Sequence, residues 1–281
     1  MFVLRREYRM TKTAIITGGA GGIASQLAPQ LLAKGYRLLL IDLDDARLQE
    51  RARALGGEVE CVKADLTQES DLQRITAVIA RVSDLDLMVN NAGIIEPGDV
   101  ADLPYPVLER HISINLLAPM RLTQAALGPM IARRGGCILS IVSVAGVVSL
   151  PGSAAYSGSK FGLRGFLTSL SQEVIRYGIR VRNVFPGAVD TPMLRYEATH
   201  GGSPLNFLNK EVLTPLQVAD ACIRAMDGNA LETYLPFSDG ITARIVGMAP
   251  GLIPLVLPRL QKKGESGMRR YLDSRGLKPG G

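Results

Sequence analysis

A chain of 281 residues, 47% hydrophobic and 21% charged, has enough apolar material for a large core, which excludes a disordered or collagen-like polymer. The net charge of +6 sits at the ends: residues 1–12 carry four basic groups and one acid, and residues 259–281 carry seven and two. The long interior is therefore slightly acidic, which excludes a nucleic-acid-binding body and leaves any anionic partner to meet the termini.

The opening MFVLRREYRM has too short an apolar stretch for a secretory signal. From Thr13 onward, apolar runs of strand length alternate with helical patterns. The spacing predicts strands at 13–17, 37–42, 59–65, 86–90, 137–143, 179–185 and 233–235. Helices are predicted at 23–34, 44–55, 69–81, 104–132, 154–177 and 215–227, with Gly35 placed to cap the first. Strand–helix alternation of this kind implies one doubly wound, mostly parallel sheet with helices on both faces. Two stretches break the rhythm: 192–213, and the proline-bearing segment after Gly240. The chain divides accordingly into a basic N-terminal tail (1–12), a catalytic domain (13–240, with a substrate loop at 192–213) and an apolar, then basic, extension (241–281).

Cys61, Cys137 and Cys222 lie far apart without a CxxC pair, which fits reduced, buried thiols and a cytoplasmic location. The apolar stretch Ile245–Pro258 is shorter than the roughly 18 residues a spanning helix needs and holds three prolines. Followed by Arg259, Lys262, Lys263, Arg269 and Arg270, it fits a membrane interface. The preferred reading is a pocket wall or a subunit contact with a solvated basic end.

The first chemical signal is TGGAGGIA, Thr17 to Ala24, between a strand and a helix. Glycines allow backbone amides to approach a pyrophosphate, and the helix N-terminus favours its charge. Asp42 ends the second strand, where a carboxylate can bond both ribose hydroxyls of an adenosine. Neither Leu43 nor the glycine loop supplies a cation for a 2′-phosphate, so NAD is preferred over NADP. The alternative role for Asp42 is to cap the next helix, for which Asp44 competes.

The second signal is Tyr156–Lys160 at the start of a helix, where four residues bring both side chains to one face. A tyrosine working at neutral pH needs a lowering of its pKa worth roughly 4 kcal/mol, about what an ammonium ~4 Å away supplies at an effective dielectric near 20. Ser143 ends an apolar strand, where side chains emerge into the ligand crevice of such a sheet. Alone it would satisfy its own backbone.

Together these residues resemble the classical short-chain dehydrogenases/reductases, over about Thr13 to Leu235. The glycine turn is similar to the family's TGxxxGxG, with Ala24 in place of the last glycine. VKADL places Asp65 and Leu66 where the family contacts adenine, and NNAG, Asn90 to Gly93, matches a family motif letter for letter. Asn115 falls where the family carries an asparagine on its long helix. Ser143 precedes Tyr156 by the usual spacing, and FPGAVDTP resembles the motif that holds the nicotinamide amide.

The resemblance implies a Rossmann-type, seven-stranded fold and NAD(P)-dependent hydride transfer between a secondary alcohol and a ketone. It implies proton exchange at Tyr156, with Lys160 lowering its pKa and bonding the nicotinamide ribose. Ser143 would hold the substrate oxygen, and Asn115 a relay water. Gly18, Gly22 and Ile23 would cradle the pyrophosphate. Asn91, Ala92 and Gly93 would pass the adenosine side, and Pro186, Val189 and Thr191 would orient the ring. No metal is needed, and two histidines without ligand spacing do not suggest one. His111 reads as packed, while His200 lies in the loop expected to cover the substrate.

Met193, Leu194, Tyr196, Leu205, Phe207 and Leu208 suggest a lipophilic substrate, steroid-, retinoid- or lipid-like, or a lid sealed onto the core. The family implies a homodimer or homotetramer built on the two long helices. The competing function is a non-catalytic dinucleotide sensor or scaffold, which would not need Asn115, Ser143, Tyr156 and Lys160 together.

Overall fold

The computed structural model describes residues 12–209, 211–248 and 250–278; the basic tail expected at 1–12 lies outside this range except for Lys12. Seven parallel strands form one sheet: β1 (Lys12–Thr17), β2 (Tyr36–Asp42), β3 (Val59–Lys63), β4 (Leu85–Asn90), β5 (Gly136–Ile141), β6 (Ile179–Pro186) and β7 (Glu232–Leu235). Their order is β3-β2-β1-β4-β5-β6-β7. The chain leaves β1 in one direction to build β2 and β3, then returns to add β4 on the other side. That reversal opens a crevice at the carboxyl ends of β1 and β4, where ligands of doubly wound sheets bind.

Central strands are apolar on both faces because both are covered; β5 is buried along its whole length. On one face α1 (Gly22–Ala33) and α8 (Pro215–Asp227) pack Leu27, Leu31, Val218 and Cys222 against Ile16, Leu40 and Leu139. The opposite face receives α3 (Glu69–Ala80), α5 (Ala118–Arg133) and α6 (Ala154–Val174), which bring Ile75, Leu122 and Leu167 onto Ile15, Met88 and Ile138. Helix α2 (Asp45–Leu55) begins with Asp44, whose carboxylate accepts from the Arg47 amide at 3.1 Å. Asp44, not Asp42, therefore caps this helix.

Three stretches differ from expectation. The helix anticipated at 104–132 is two helices, α4 (Tyr105–Ile112) and α5, joined by a π-helical turn at Ser113–Leu117. Pro119 has no N–H to give the carbonyl of Asn115 four residues earlier, so a regular helix cannot run through this point. The loop anticipated at 192–213 contains α7 (Pro192–Thr199), started by the Thr191 hydroxyl. The segment after Gly240 is not an irregular extension. It forms α9 (Phe237–Met248) and α10 (Ile253–Asp273), with prolines in the first turn and at 258.

Helix α10 lies directly on the turn Pro204–Phe207. A Cβ at Gly264 would stand 2.3 Å from the Pro204 carbonyl oxygen, so only glycine permits that approach. Phe207, Tyr271, Leu272, Leu194 and Ala198 then form a small third cluster. Tyr271 donates to Asp190 at 2.8 Å, and Arg275 pairs with the same carboxylate at 2.6 Å. The C-terminal segment is thus tied to α7 and the residues around it by packing and by charge.

Candidate active site

The crevice opens into a cavity of about 870 Å³, a size suited to a small-molecule ligand. It runs from the glycine turn past β4, β5 and β6 to α7, α9 and α10. Three of the four expected catalytic residues line it, Ser143, Tyr156 and Lys160, and so does every expected cofactor contact.

The cradle for a dinucleotide is built at the ends of β1 and β4. Gly18 has φ +66°, and a Cβ there would meet Asn91 Nδ2 at 2.8 Å and Ala92 Cα at 2.9 Å. Glycine is therefore required by both torsion and space. Asn91 Nδ2 donates to the carbonyls of Thr17 and Gly18 at 2.9 and 3.0 Å, while Thr17 Oγ1 accepts from the amides of Asn91 and Ala92. The Asn91 side chain holds the turn's shape as well as lining the cavity. Asp42 is set by two backbone amides, Ala20 at 2.9 Å and Asp44 at 3.1 Å. Leu43 is exposed beside it, and Asp65 spends one carboxylate oxygen on Thr67. Two basic residues also reach this end of the cavity, Arg47 and Arg51 on α2, which the strand-end motif did not signal. Thus the absence of a cation near Asp42 holds for Leu43 and the loop but not for the helix that follows.

Lys160 is 4% exposed, and its Nζ lies 3.5 Å from the Ile141 carbonyl oxygen. Burial lowers its pKa from 10.5 to about 8, because the ammonium is the form that loses hydration. The same Nζ stands 5.5 Å from the centre of the Tyr156 ring. Burial first, and the nearby Glu197 charge second, push the Tyr156 phenol above its ordinary value; the Ser143 hydroxyl pulls it back down. The lowering expected from Lys160 is not seen: burial dominates both groups, raising the phenol and lowering the ammonium. The phenol is accordingly held in its protonated form at neutral pH.

Asn115, completely buried in the π turn, does not line the cavity but braces its wall. It accepts from the Ile94 amide at 2.9 Å and donates to the Ile94 carbonyl at 3.0 Å and to Ser159 Oγ at 3.2 Å. A Cβ on Gly93 would touch Asn115 Oδ1 at 3.2 Å and Lys160 Nζ at 3.6 Å, so both side chains crowd the open face of this glycine. Ser143 Oγ accepts from the Ala145 amide at 3.0 Å, the local bond its strand-end position allows, and still lines the cavity. Pro186 and Val189 line the wall beyond β6, where Thr191 doubles as the cap of α7.

His111 is fully buried; its Nε2 accepts from the Glu96 amide at 3.0 Å and its Nδ1 lies 2.8 Å from the Val107 carbonyl oxygen. His200 is exposed and stacks on Tyr196 with ring centres 4.1 Å apart, outside the cavity lining. Met193, Leu194, Leu205 and Leu208 line the cavity, whereas the Phe207 ring packs on Tyr271. Among the polar residues in the lining that carry no motif are Ser153 and Glu197, both buried.

A family model described as short chain dehydrogenase matches residues 12–201. The oxidoreductase UcpA of Salmonella typhimurium is 37% identical over 190 residues, covering 65% of this chain and 71% of that protein. A 2-(R)-hydroxypropyl-CoM dehydrogenase of Xanthobacter autotrophicus is 32% identical over 224 residues, covering 75% and 90%. Among solved structures, a short-chain dehydrogenase from Sphingobium yanoikuyae in complex with NADPH superposes with a TM-score of 0.75 at 27% identity, covering 86% of this chain and 95% of that one.

Proposed function

The chain belongs to the short chain dehydrogenase family of oxidoreductases, and on that premise we propose that it interconverts a lipophilic secondary alcohol and its ketone with a nicotinamide dinucleotide. The reading is carried by Ser143, Tyr156 and Lys160 lining one cavity with the glycine turn and Asp42. When bound, the cofactor supplies or receives the hydride at its nicotinamide ring. Ser143 holds the substrate oxygen, and the protonated Tyr156 phenol donates to it as negative charge develops. Lys160, with its pKa brought to about 8, is poised to exchange a proton near neutrality and to bond the cofactor's ribose. Asn115 acts from behind the lining, fixing Ile94 through both of its backbone groups.

Asp42 supports NAD over NADP, since two amides already aim its carboxylate and a 2′-phosphate would face its charge. Arg47 and Arg51 are the groups that oppose this preference. The cavity end formed by Met193, Leu194, Leu205, Val246, Ile253 and Leu257 favours an apolar substrate.

A contact with an anionic lipid surface has its own support. Phe237, Ile241, Ile245 and Met248 are exposed at helical spacing on α9, and Leu255 continues the apolar face on α10 beside the exposed Arg259, Lys262, Arg269 and Arg270. Leu117 and Phe161, exposed on the long helices, support pairing of two chains through that face.

The test follows NADH absorbance while the protein meets ketones from short and polar to steroid-sized, with Tyr156→Phe alongside. Turnover by the native chain and its loss in Tyr156→Phe, with NADH binding within about twofold, are expected. Full activity in Tyr156→Phe would remove the proposed proton donor.

A further inference from the structure

Helix α7 contributes nothing to the catalytic set, yet it carries a carboxyl group into the same cavity. Glu197 is only 6% exposed, lines the cavity, and lies close enough to Tyr156 for its charge to raise the phenol's pKa. Asn206 Nδ2 donates to Glu197 Oε1 at 3.1 Å. Among the described residues no other side chain hydrogen-bonds to this carboxyl, and no Lys, Arg or His pairs with it. Oε2 is left without a protein partner. Burial raises the Glu197 pKa to about 7, the usual consequence of a carboxyl placed among apolar groups without a cation.

The backbone that carries the side chain is also held in place. The Gly202 amide donates to the Glu197 carbonyl at 2.7 Å, and a Cβ on Gly202 would stand 2.6 Å from that oxygen. The loop closes tightly on the end of α7 and anchors it. Ser153, also in the cavity lining, has a buried Oγ without a hydrogen-bond partner. Buried polar groups are seldom left without a partner unless something else satisfies them.

We propose that Glu197 is the distal recognition residue of the substrate pocket, accepting a hydrogen bond from a hydroxyl group that the substrate carries away from its reacting carbon. This deepens the oxidoreductase reading: the preferred substrate is an apolar ketone or alcohol bearing a second hydroxyl. A purely hydrocarbon tail leaves the buried carboxyl unpaired, and a carboxylate tail is repelled by it. Discrimination of this kind comes from a buried polar group left unpaired by the wrong substrate, not from pocket size.

The experiment uses methyl ketones of graded chain length, each ending in a methyl, a hydroxyl or a carboxylate. Affinity for the native chain loaded with NAD⁺ is read by calorimetry, and turnover is read separately by NADH absorbance. At the fitting length the hydroxy ketone should bind about tenfold more tightly than its methyl counterpart, with the carboxylate weakest. In Glu197→Leu the hydroxyl-to-methyl ratio should fall to about one and the carboxylate should gain. Glu197→Gln, which keeps the shape and an acceptor, should retain part of the preference; it carries the test if Glu197→Leu does not melt cooperatively. No hydroxyl preference at any length, or the same preference in native and variant chains, overturns the proposal. A hydroxyl preference that depends on Glu197 without any NADH oxidation would instead overturn hydride transfer and leave Glu197 as a recognition residue.

Discussion

Replacing Lys160 with methionine should stabilise the folded chain at neutral pH while removing its chemistry. The ammonium is 4% exposed, its nearest hydrogen-bond acceptor is the Ile141 carbonyl oxygen at 3.5 Å, and no carboxylate pairs with it among the described residues. Burial takes its pKa from 10.5 down to about 8. Between those values the unfolded chain binds the proton more tightly, so the lysine's contribution to stability is fully present above the unfolded pKa and is lost as pH falls through the folded one. A shift of that size corresponds to about 3 kcal/mol. Native chain and Lys160→Met should therefore differ most below about pH 8, with the variant more stable by up to about 3 kcal/mol, and should converge as the pH approaches the unfolded value. Urea unfolding of both proteins without cofactor, across this range, measures the difference. Taking the difference cancels groups common to both, such as Cys137, whose pKa burial pushes up to about 11. A stability gap that does not change with pH, or a variant less stable near neutrality, would refute the argument that Lys160 is held at the expense of the fold.

Asp42→Ala should narrow the preference for NAD over NADP by about tenfold, read as the ratio of kcat/KM values, since it removes one charge-assisted ribose contact and the repulsion of a 2′-phosphate; an unchanged ratio would take Asp42 out of the ribose site. Gly267→Leu places a side chain where a Cβ alone would lie 2.0 Å from the Phe207 carbonyl oxygen. It should cost about 2 kcal/mol or more in urea unfolding and speed amide exchange in α10 and α7, and native-like exchange there would show that α10 is not seated on the loop. Reversing the charges of Arg259, Lys262, Arg269 and Arg270, each exposed and worth about 1 kcal/mol at an anionic surface, should weaken binding to phosphatidylserine vesicles at least tenfold. Equal sedimentation with such vesicles before and after would end the membrane reading.

Local pattern was enough for the frame of the molecule. The seven strands and the helices between them follow from apolar runs of the right length, each bounded by a turn or cap, and the glycine turn, Asp42, Asn91 to Gly93, Ser143, Tyr156 and Lys160 line one cavity because all sit at or near carboxyl ends of a parallel sheet. A parallel sheet imposes that convergence on any chain that builds it. What depended on distant contacts was not legible. The prolines at 192, 250, 254 and 258 read as interruptions, yet α7 and α10 form because they bury an apolar face on each other through Phe207, Tyr271 and Leu272, a gain visible only once the chain has returned to itself. Pro119 breaks the helix locally, but what Asn115 does in the π turn was not legible, because its amide side chain bonds the backbone of Ile94, twenty-one positions earlier. The pair Tyr156–Lys160 was visible as a spacing, but its titration was not, because desolvation depends on everything packed around the pair. Glu197 shows the difference most plainly. In the sequence it is one acidic residue in an irregular stretch, and only the fold buries it, leaves it without a cation and turns it toward the catalytic tyrosine.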